Sequence, residues 1–248
     1  MSEALGTLYG VGVGPGAPDL MTVRAEQILR ACPVICLPAR THGQSYAGTI
    51  IAHLLDHERQ EVLPVQFPMQ RDLALALPAR EQAATQVLAR LQMGQDVAFA
   101  TEGDPLLYST FGYLLETVKR SAPAIPVEVV PGVSSITAAA AATHLPLATW
   151  DERVAVLPAA HALRQTDTSH LRQILQLFDT IVLLKVHTVF AALLDTLEEL
   201  DLVQHALFVR RCSTDREEIV YDLTSLRDQK LDYFSLVIVR NPYATGNQ

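Results

Sequence analysis

The stretch Gly10-Val11-Gly12-Val13-Gly14-Pro15-Gly16-Ala17-Pro18-Asp19 decides the class of fold. It ends an apolar run that predicts a strand over residues 6–13, and helical sequence resumes only near Thr22. Gly12-x-Gly14-x-x-Ala17 formally satisfies a dinucleotide-binding fingerprint. Such a loop leads directly into a helix whose N-terminus holds pyrophosphate, whereas here Pro15, Pro18 and Asp19 intervene. The acid that would bind a ribose at the end of the next strand is missing from Val34-Ile35-Cys36-Leu37-Pro38-Ala39. A nicotinamide-dependent oxidoreductase therefore stands as an alternative, beside a turn in which glycines merely permit close packing. No Gly-Lys-Ser/Thr follows any glycine run, which removes a Walker loop.

Outward from this loop, apolar runs alternate with helical periodicity along the 248 residues. A helix is predicted over 22–31 with Thr22 as N-cap, then a short strand over 34–37 stopped by Pro38. Residues 46–55 read as helix and 60–63 as strand. Residues 78–93 read as an amphipathic helix with Pro78 at its start and Gly94 past its end. A strand over 96–100, a loop over 101–105 and a helix over 108–120 follow. Ser121-Ala122-Pro123-Ala124-Ile125-Pro126 has no periodicity and is read as the linker, dividing the chain into domains 1–121 and 126–248. Beyond it lie predicted strands over 127–130, 153–157, 180–185 and 206–210, with helices over 134–143, 171–177 (Ser169 capping) and 189–200. Residues 219–223 and 234–240 read as a closing pair of strands. Alternation of this kind implies two α/β domains, the second with a more mixed sheet.

Composition narrows the class. Lys+Arg 19 against Asp+Glu 27 leaves a formal net charge of −8 with no basic block, poor electrostatics for nucleic acid or an anionic membrane. About half the residues are apolar and 19% are charged, which excludes a disordered polar chain. The apolar stretches are too short to span a bilayer, and the N-terminus lacks the basic and apolar regions of an export signal. Cys32, Cys36 and Cys212 form no CxxC pair and read as small hydrophobes in a reducing compartment. The expectation is a cytoplasmic protein.

Two further loops follow predicted strands. Thr101-Glu102-Gly103-Asp104-Pro105 places carboxylates at a strand's C-terminal end, a usual ligand position in α/β proteins. Asp104 either accepts hydrogen bonds from a ligand or forms an Asx turn. Pro131-Gly132-Val133-Ser134-Ser135 places hydroxyls and free amides at a helix start, suited to polar ligand groups or to simple capping. His53 and His57 share a helix face without a third metal ligand nearby, and no metal site is expected. No catalytic triad or metalloprotease motif is present.

In this order, Gly14-Pro15-Gly16-Ala17-Pro18-Asp19-Leu20-Met21-Thr22, Glu102-Gly103-Asp104-Pro105 and Pro131-Gly132-Val133-Ser134-Ser135 resemble the loops of the tetrapyrrole methylases. Ala17 departs from that family's pattern, which usually has Asp there. Gln66-Phe67-Pro68-Met69-Gln70-Arg71-Asp72 and Leu106-Leu107-Tyr108-Ser109-Thr110-Phe111-Gly112-Tyr113-Leu114 resemble the branch acting at C20 of precorrin-2 or cobalt-factor II. The alternative within the fold is methylation at another tetrapyrrole position.

The resemblance implies a cofactor cleft between two α/β domains, S-adenosyl-L-methionine as methyl donor with S-adenosyl-L-homocysteine as product, and a homodimer. It implies cofactor contacts from Pro15, Glu102, Gly103, Asp104, Leu107, Ser134 and Ser135. Lys185 and Cys212 are implied at the adenosyl part, mainly through backbone. A polycarboxylate substrate needs basic partners despite the acidic total, and Arg40 and Arg71 are the candidates. Cobalt, where present, belongs to the substrate. An electron-rich tetrapyrrole carbon needs no strong base for attack, so no catalytic residue is nominated.

Overall fold

The computed structural model describes residues 4–39, 45–67, 73–163 and 168–244. The chain divides into two compact units, Met1–Ser135 and Ile136–Gln248. The first contains β1 (Leu8–Gly12), α1 (Val23–Ala31), β2 (Val34–Ala39), α2 (Tyr46–Ile51) and β3 (Glu61–Gln66). It continues with α3 (Leu73–Gln92), β4 (Val97–Thr101), α4 (Phe111–Ser121) and β5 (Val127–Val130). Its five strands lie in the order β3-β2-β4-β1-β5, every pair parallel.

A parallel sheet is covered on both faces, so its strands read as continuous apolar runs. β4 is buried at every position. Val97 and Phe99 join one core with Leu8, Leu63 and the helices α3 and α4. Ala98 and Ala100 join the opposite core with Val11, Ile35 and the helices α1 and α2. Thr22 caps α1 as predicted, its Oγ1 accepting the N–H of Ala25 at 3.2 Å, and Ala25, Ile28 and Leu29 form the buried stripe.

Several boundaries differ from those read in the sequence. β2 continues through Pro38 to Ala39. Beyond Cys36 it pairs with β3 alone, so the missing proline N–H falls where one edge of the strand is free. α3 begins five residues before Pro78, which lies inside the helix on an exposed position. The expected linker over 121–126 is instead the connection from α4 to β5. Ile125 is buried in the first core, Pro126 accepts the N–H of Leu8 at 2.9 Å, and β5 pairs with β1. The division falls at Ser135/Ile136, because two prolines mark a break in regular structure and not the end of a domain.

The second unit follows α5 (Ser135–Ala142) with β6 (Val154–Pro158), α6 (Ala159–Ala162), α7 (Ser169–Leu177) and β7 (Thr180–Leu184). It ends with α8 (Phe190–Glu199), β8 (Ala206–Arg210), β9 (Glu218–Val220) and β10 (Ser235–Arg240). Its sheet has the order β6-β7-β10-β8-β9 and is mixed, as expected: only β6 and β7 run parallel. The last two strands do not pair with each other. β10 inserts between β7 and β8, and β9 extends the edge beside β8. Thr168, not Ser169, occupies the N-cap of α7. A core of Leu171, Leu175, Phe190, Leu193 and Leu197 packs these helices on Ile181, Leu183, Phe208 and Val237.

Candidate functional site

Adjacent strands β1 and β4 send their connections to opposite faces of the first sheet. The chain leaving β1 reaches α1 in one core, and the chain leaving β4 reaches α4 in the other. Such a reversal opens a crevice at the carboxyl ends of the strands, the usual ligand position in open α/β sheets. The three loops singled out in the sequence all begin at this edge.

The loops are locked together by backbone. Val13 donates to the carbonyl of Thr101 at 3.0 Å, and Gly103 donates to that of Gly14 at 2.8 Å. A Cβ on Gly12 would stand 2.6 Å from the carbonyl oxygen of Gly103 and 2.7 Å from the Cα of Gly132. A Cβ on Gly132 would stand 2.1 Å from that same oxygen. The absent side chains at Gly12 and Gly132 are therefore consumed by loop-to-loop contact, which removes the physical basis for a pyrophosphate at Gly12. A turn of 3-10 helix, Pro18–Leu20, also intervenes before α1, where the sequence reads as a Gly/Pro loop.

The acidic loop divides its two carboxylates between different tasks. Asp104 accepts the N–H of Leu106 at 2.8 Å through Oδ1 and the N–H of Gly132 at 3.1 Å through Oδ2. Glu102 is half-buried and has no hydrogen-bond partner among the described residues. Gly103 adopts φ +67°, and the nearest atom to a Cβ there would be the Cα of Ser134 at 4.0 Å, so the chain is open on that side. Leu106, Leu107 and Tyr108 are exposed, Tyr108 at φ +53°. Ser109 was not singled out in the sequence. Its Oγ lies 3.0 Å from Thr101 Oγ1 and accepts the N–H of Phe111 at 3.2 Å, fixing the start of α4. A carboxylate, an open glycine and exposed apolar side chains suit a ligand with a cationic group and an apolar portion. The first unit thus brings together Pro15, Glu102, Gly103, Asp104, Leu107, Ser134 and Ser135.

In the second unit, β7 and β8 end beside the start of β10. Lys185 donates to the carbonyl of Ser235 and Arg211 to that of Phe234, both at 2.8 Å. Lys185, Arg211 and Ser213 are all left-handed, at φ 59°, 48° and 64°. The Lys185 ammonium lies 5.0 Å from the Tyr233 ring centroid, and Arg211 Nε pairs with Asp232 at 2.6 Å. Cys212 is buried between the two left-handed residues, and burial pushes its thiol up to about 12. Lys185 and Cys212 therefore share one end of this sheet. Neither Tyr233 nor Asp232 carried a sequence signal, because their roles come from β10 inserting between β7 and β8.

Arg40 and Arg71 lie outside the described residues, as does most of the 66–72 segment. Among the described residues, no group of three His, Cys, Asp or Glu could hold a metal ion. No described helix is long and apolar enough to cross a membrane.

A family model described as Tetrapyrrole (Corrin/Porphyrin) Methylases matches residues 7–227. The cobalt-precorrin-2 C(20)-methyltransferase of Salmonella typhimurium is 34% identical over 242 residues, covering 96% of this chain and 98% of that protein. The precorrin-2 C(20)-methyltransferase of a Sinorhizobium species is 29% identical, covering 95% of each. Among solved structures, the uroporphyrin-III C-methyl transferase from Thermus thermophilus complexed with S-adenyl homocysteine aligns with TM-score 0.67 and 25% identity. That alignment covers 94% of this chain and 97% of the other.

Proposed function

Because the chain belongs to the tetrapyrrole (corrin/porphyrin) methylases, we propose that it transfers a methyl group from S-adenosyl-L-methionine to C20 of precorrin-2 or its cobalt complex, a step of cobalamin biosynthesis. The observation that carries this reading is the mutual packing of Gly12, Gly103 and Gly132, which gathers three ligand-facing loops at one sheet edge. Full-length similarity to C(20)-methyltransferases supports the position of methylation, and the higher identity to the cobalt-precorrin-2 enzyme favours the cobalt complex.

When bound, the cofactor supplies an activated methyl on a sulfonium. Glu102 offers a carboxyl group to the ammonium of its methionine end. Pro15, Gly103, Leu107, Ser134 and Ser135 border it, the backbone of Asp104 continues that wall, and the main chain at Lys185 and Cys212 serves the adenosyl part. What the protein contributes is orientation: holding the nucleophilic carbon in line with the departing sulfur is worth about 7–11 kcal/mol in favourable intramolecular cases. Exclusion of water favours a step in which the sulfonium charge disappears. Arg40 and Arg71 are assigned to substrate carboxylates.

The reading extends to a cytoplasmic homodimer. Thr137, Ala140 and Ala141 of α5 with His144, Leu145, Pro146, Leu147 and Ala148 line an apolar groove of about 480 Å³, and Trp150, two residues further along the chain, is fully exposed. No charged residue occurs from Val129 to Trp150. In a chain of net charge −8 this is a face on which two copies meet without repulsion.

Incubation with S-adenosylmethionine and either precorrin-2 or its cobalt complex tests the function. The expected product carries its new methyl at C20, and methylation elsewhere on the ring overturns the assignment. Calorimetric titration with S-adenosylhomocysteine and NADH in parallel tests the class, because binding of NADH alone would restore the oxidoreductase.

A further inference from the structure

We propose that Asp104 is a positioning residue whose carboxylate clasps the loop after β4 to the loop after β5, and that this carboxylate does not itself contact the cofactor. The inference rests on the S-adenosylmethionine reading of the site. Both oxygens are engaged within the protein: Oδ1 accepts from Leu106 at 2.8 Å and Oδ2 from Gly132 at 3.1 Å. The first bond closes an Asx turn that shapes Asp104-Pro105-Leu106. The second crosses 28 residues of sequence to a different loop. Its donor sits where the carbonyl oxygen of Gly103 presses against Gly132, at 2.1 Å from an added Cβ. The carboxylate therefore bridges the two loops at the point of tightest approach and satisfies a backbone N–H that the glycine packing leaves without a strand partner. Glu102, two residues earlier and unpartnered among the described residues, is the carboxylate left for the ligand.

Asparagine is the decisive replacement. It keeps one acceptor oxygen but turns an NH2 toward the other N–H; the oxygen stays with the local and shorter bond to Leu106 at 2.8 Å, so the bond to Gly132 is lost and that loop is released. A hydrogen bond to a charged group of this kind corresponds to about tenfold or more in an equilibrium constant.

The experiment compares amide exchange over residues 130–135 in the ligand-free protein with the affinity for S-adenosylhomocysteine. In the wild type, the Gly132 amide should be protected before any ligand is added. In Asp104→Asn it should exchange about tenfold faster, with weaker S-adenosylhomocysteine binding and unchanged amide protection in the strands of the second unit. Glu102→Gln should weaken binding equally while leaving Gly132 protected. Loss of affinity in Asp104→Asn with Gly132 still protected would make Asp104 a direct ligand and overturn the proposal. A Gly132 amide that exchanges freely in the wild type also overturns it, whether or not the variant folds. Wild-type protein that binds no S-adenosylhomocysteine, with Gly132 still protected, refutes the cofactor reading and leaves the clasp standing as a structural feature.

Discussion

Three helices end on the same hydrogen-bonded turn, and the two units build it from different residues. α3 closes at Gly94, whose N–H reaches Leu91 while that of Gln95 reaches Arg90, both at 3.1 Å. α5 closes at His144, with His144 to Ala141 at 3.2 Å and Leu145 to Ala140 at 2.9 Å. α8 closes at Asp201, with Asp201 to Glu198 at 3.1 Å and Leu202 to Leu197 at 2.8 Å. All three are Schellman motifs with the residue past the helix in the left-handed region, at φ 78°, 52° and 54°.

The contrast runs through the chain. Of 12 glycines only Gly246 lies beyond Ser135. Seven described non-glycine residues have positive φ, and all but Tyr108 belong to the second unit. A left-handed L-residue costs roughly 1–2 kcal/mol. The first unit places glycine where its backbone needs it, while the second holds unwilling residues in place with hydrogen bonds and charges. Glycine is also what lets loops touch, so the unit rich in it carries the close loop packing.

The largest test of that contrast is Gly132→Ala. Its Cβ has no room beside the Gly103 carbonyl, and overpacking of this kind costs about 3 kcal/mol. Chemical denaturation should show the loss, and S-adenosylhomocysteine binding should fall with it. Gly112→Ala, with nothing within 4 Å of the added carbon and a position inside α4, should instead stabilise by about 1 kcal/mol. If both alanines behave alike, packing is not what selects glycine here.

Next in size are the helix ends. Gly94→Ala should destabilise by about 1–2 kcal/mol, since it adds left-handed strain to a Cβ 2.8 Å from the Ala4 carbonyl oxygen. His144→Gly and Asp201→Gly should each stabilise by roughly 1 kcal/mol at most, read as a raised thermal midpoint. Midpoints unchanged in both would mean that the second unit has relieved its strain by other contacts.

The smallest effect is electrostatic. The turn carrying Trp150 at φ +53° has no glycine. Glu152 holds it by accepting the N–H of Thr149 at 2.8 Å and pairing with Arg240 at 2.9 Å. The Arg240 hydrogen bond, followed by that backbone N–H, lowers the Glu152 carboxyl to about 2. A lowered acid stabilises the fold above its unfolded value near 4.5, and the contribution disappears as pH falls toward 2. Glu152→Gln should flatten the acid limb of a stability–pH curve measured between those values. An acid limb as steep as the wild type's would remove Glu152 as its source.

Much of the first unit was legible for the same reason that it needs glycine. Gly12, Gly14, Gly103 and Gly132 announce turns, and the Thr22 cap and the apolar run of β4 announce elements. The alternation of strands and helices also indicated the mixed second sheet. The proline-rich stretch after α4 misled because composition marks an irregular segment without saying what buries Ile125. The left-handed Lys185, Arg211 and Ser213 left no trace, since their identities argue against the conformation they adopt.

Local sequence by itself determined which segments become strands and helices, where the glycine turns fall, and the residues that mark the family, because capping, periodicity and φ preference act within a few positions. Only the tertiary structure decided that β5 closes the first sheet, that β10 separates β7 from β8, and that Asp104 reaches Gly132. Each of those depends on strands and loops far apart in the chain competing for the same hydrogen-bonding edge, and no short window of residues contains both competitors.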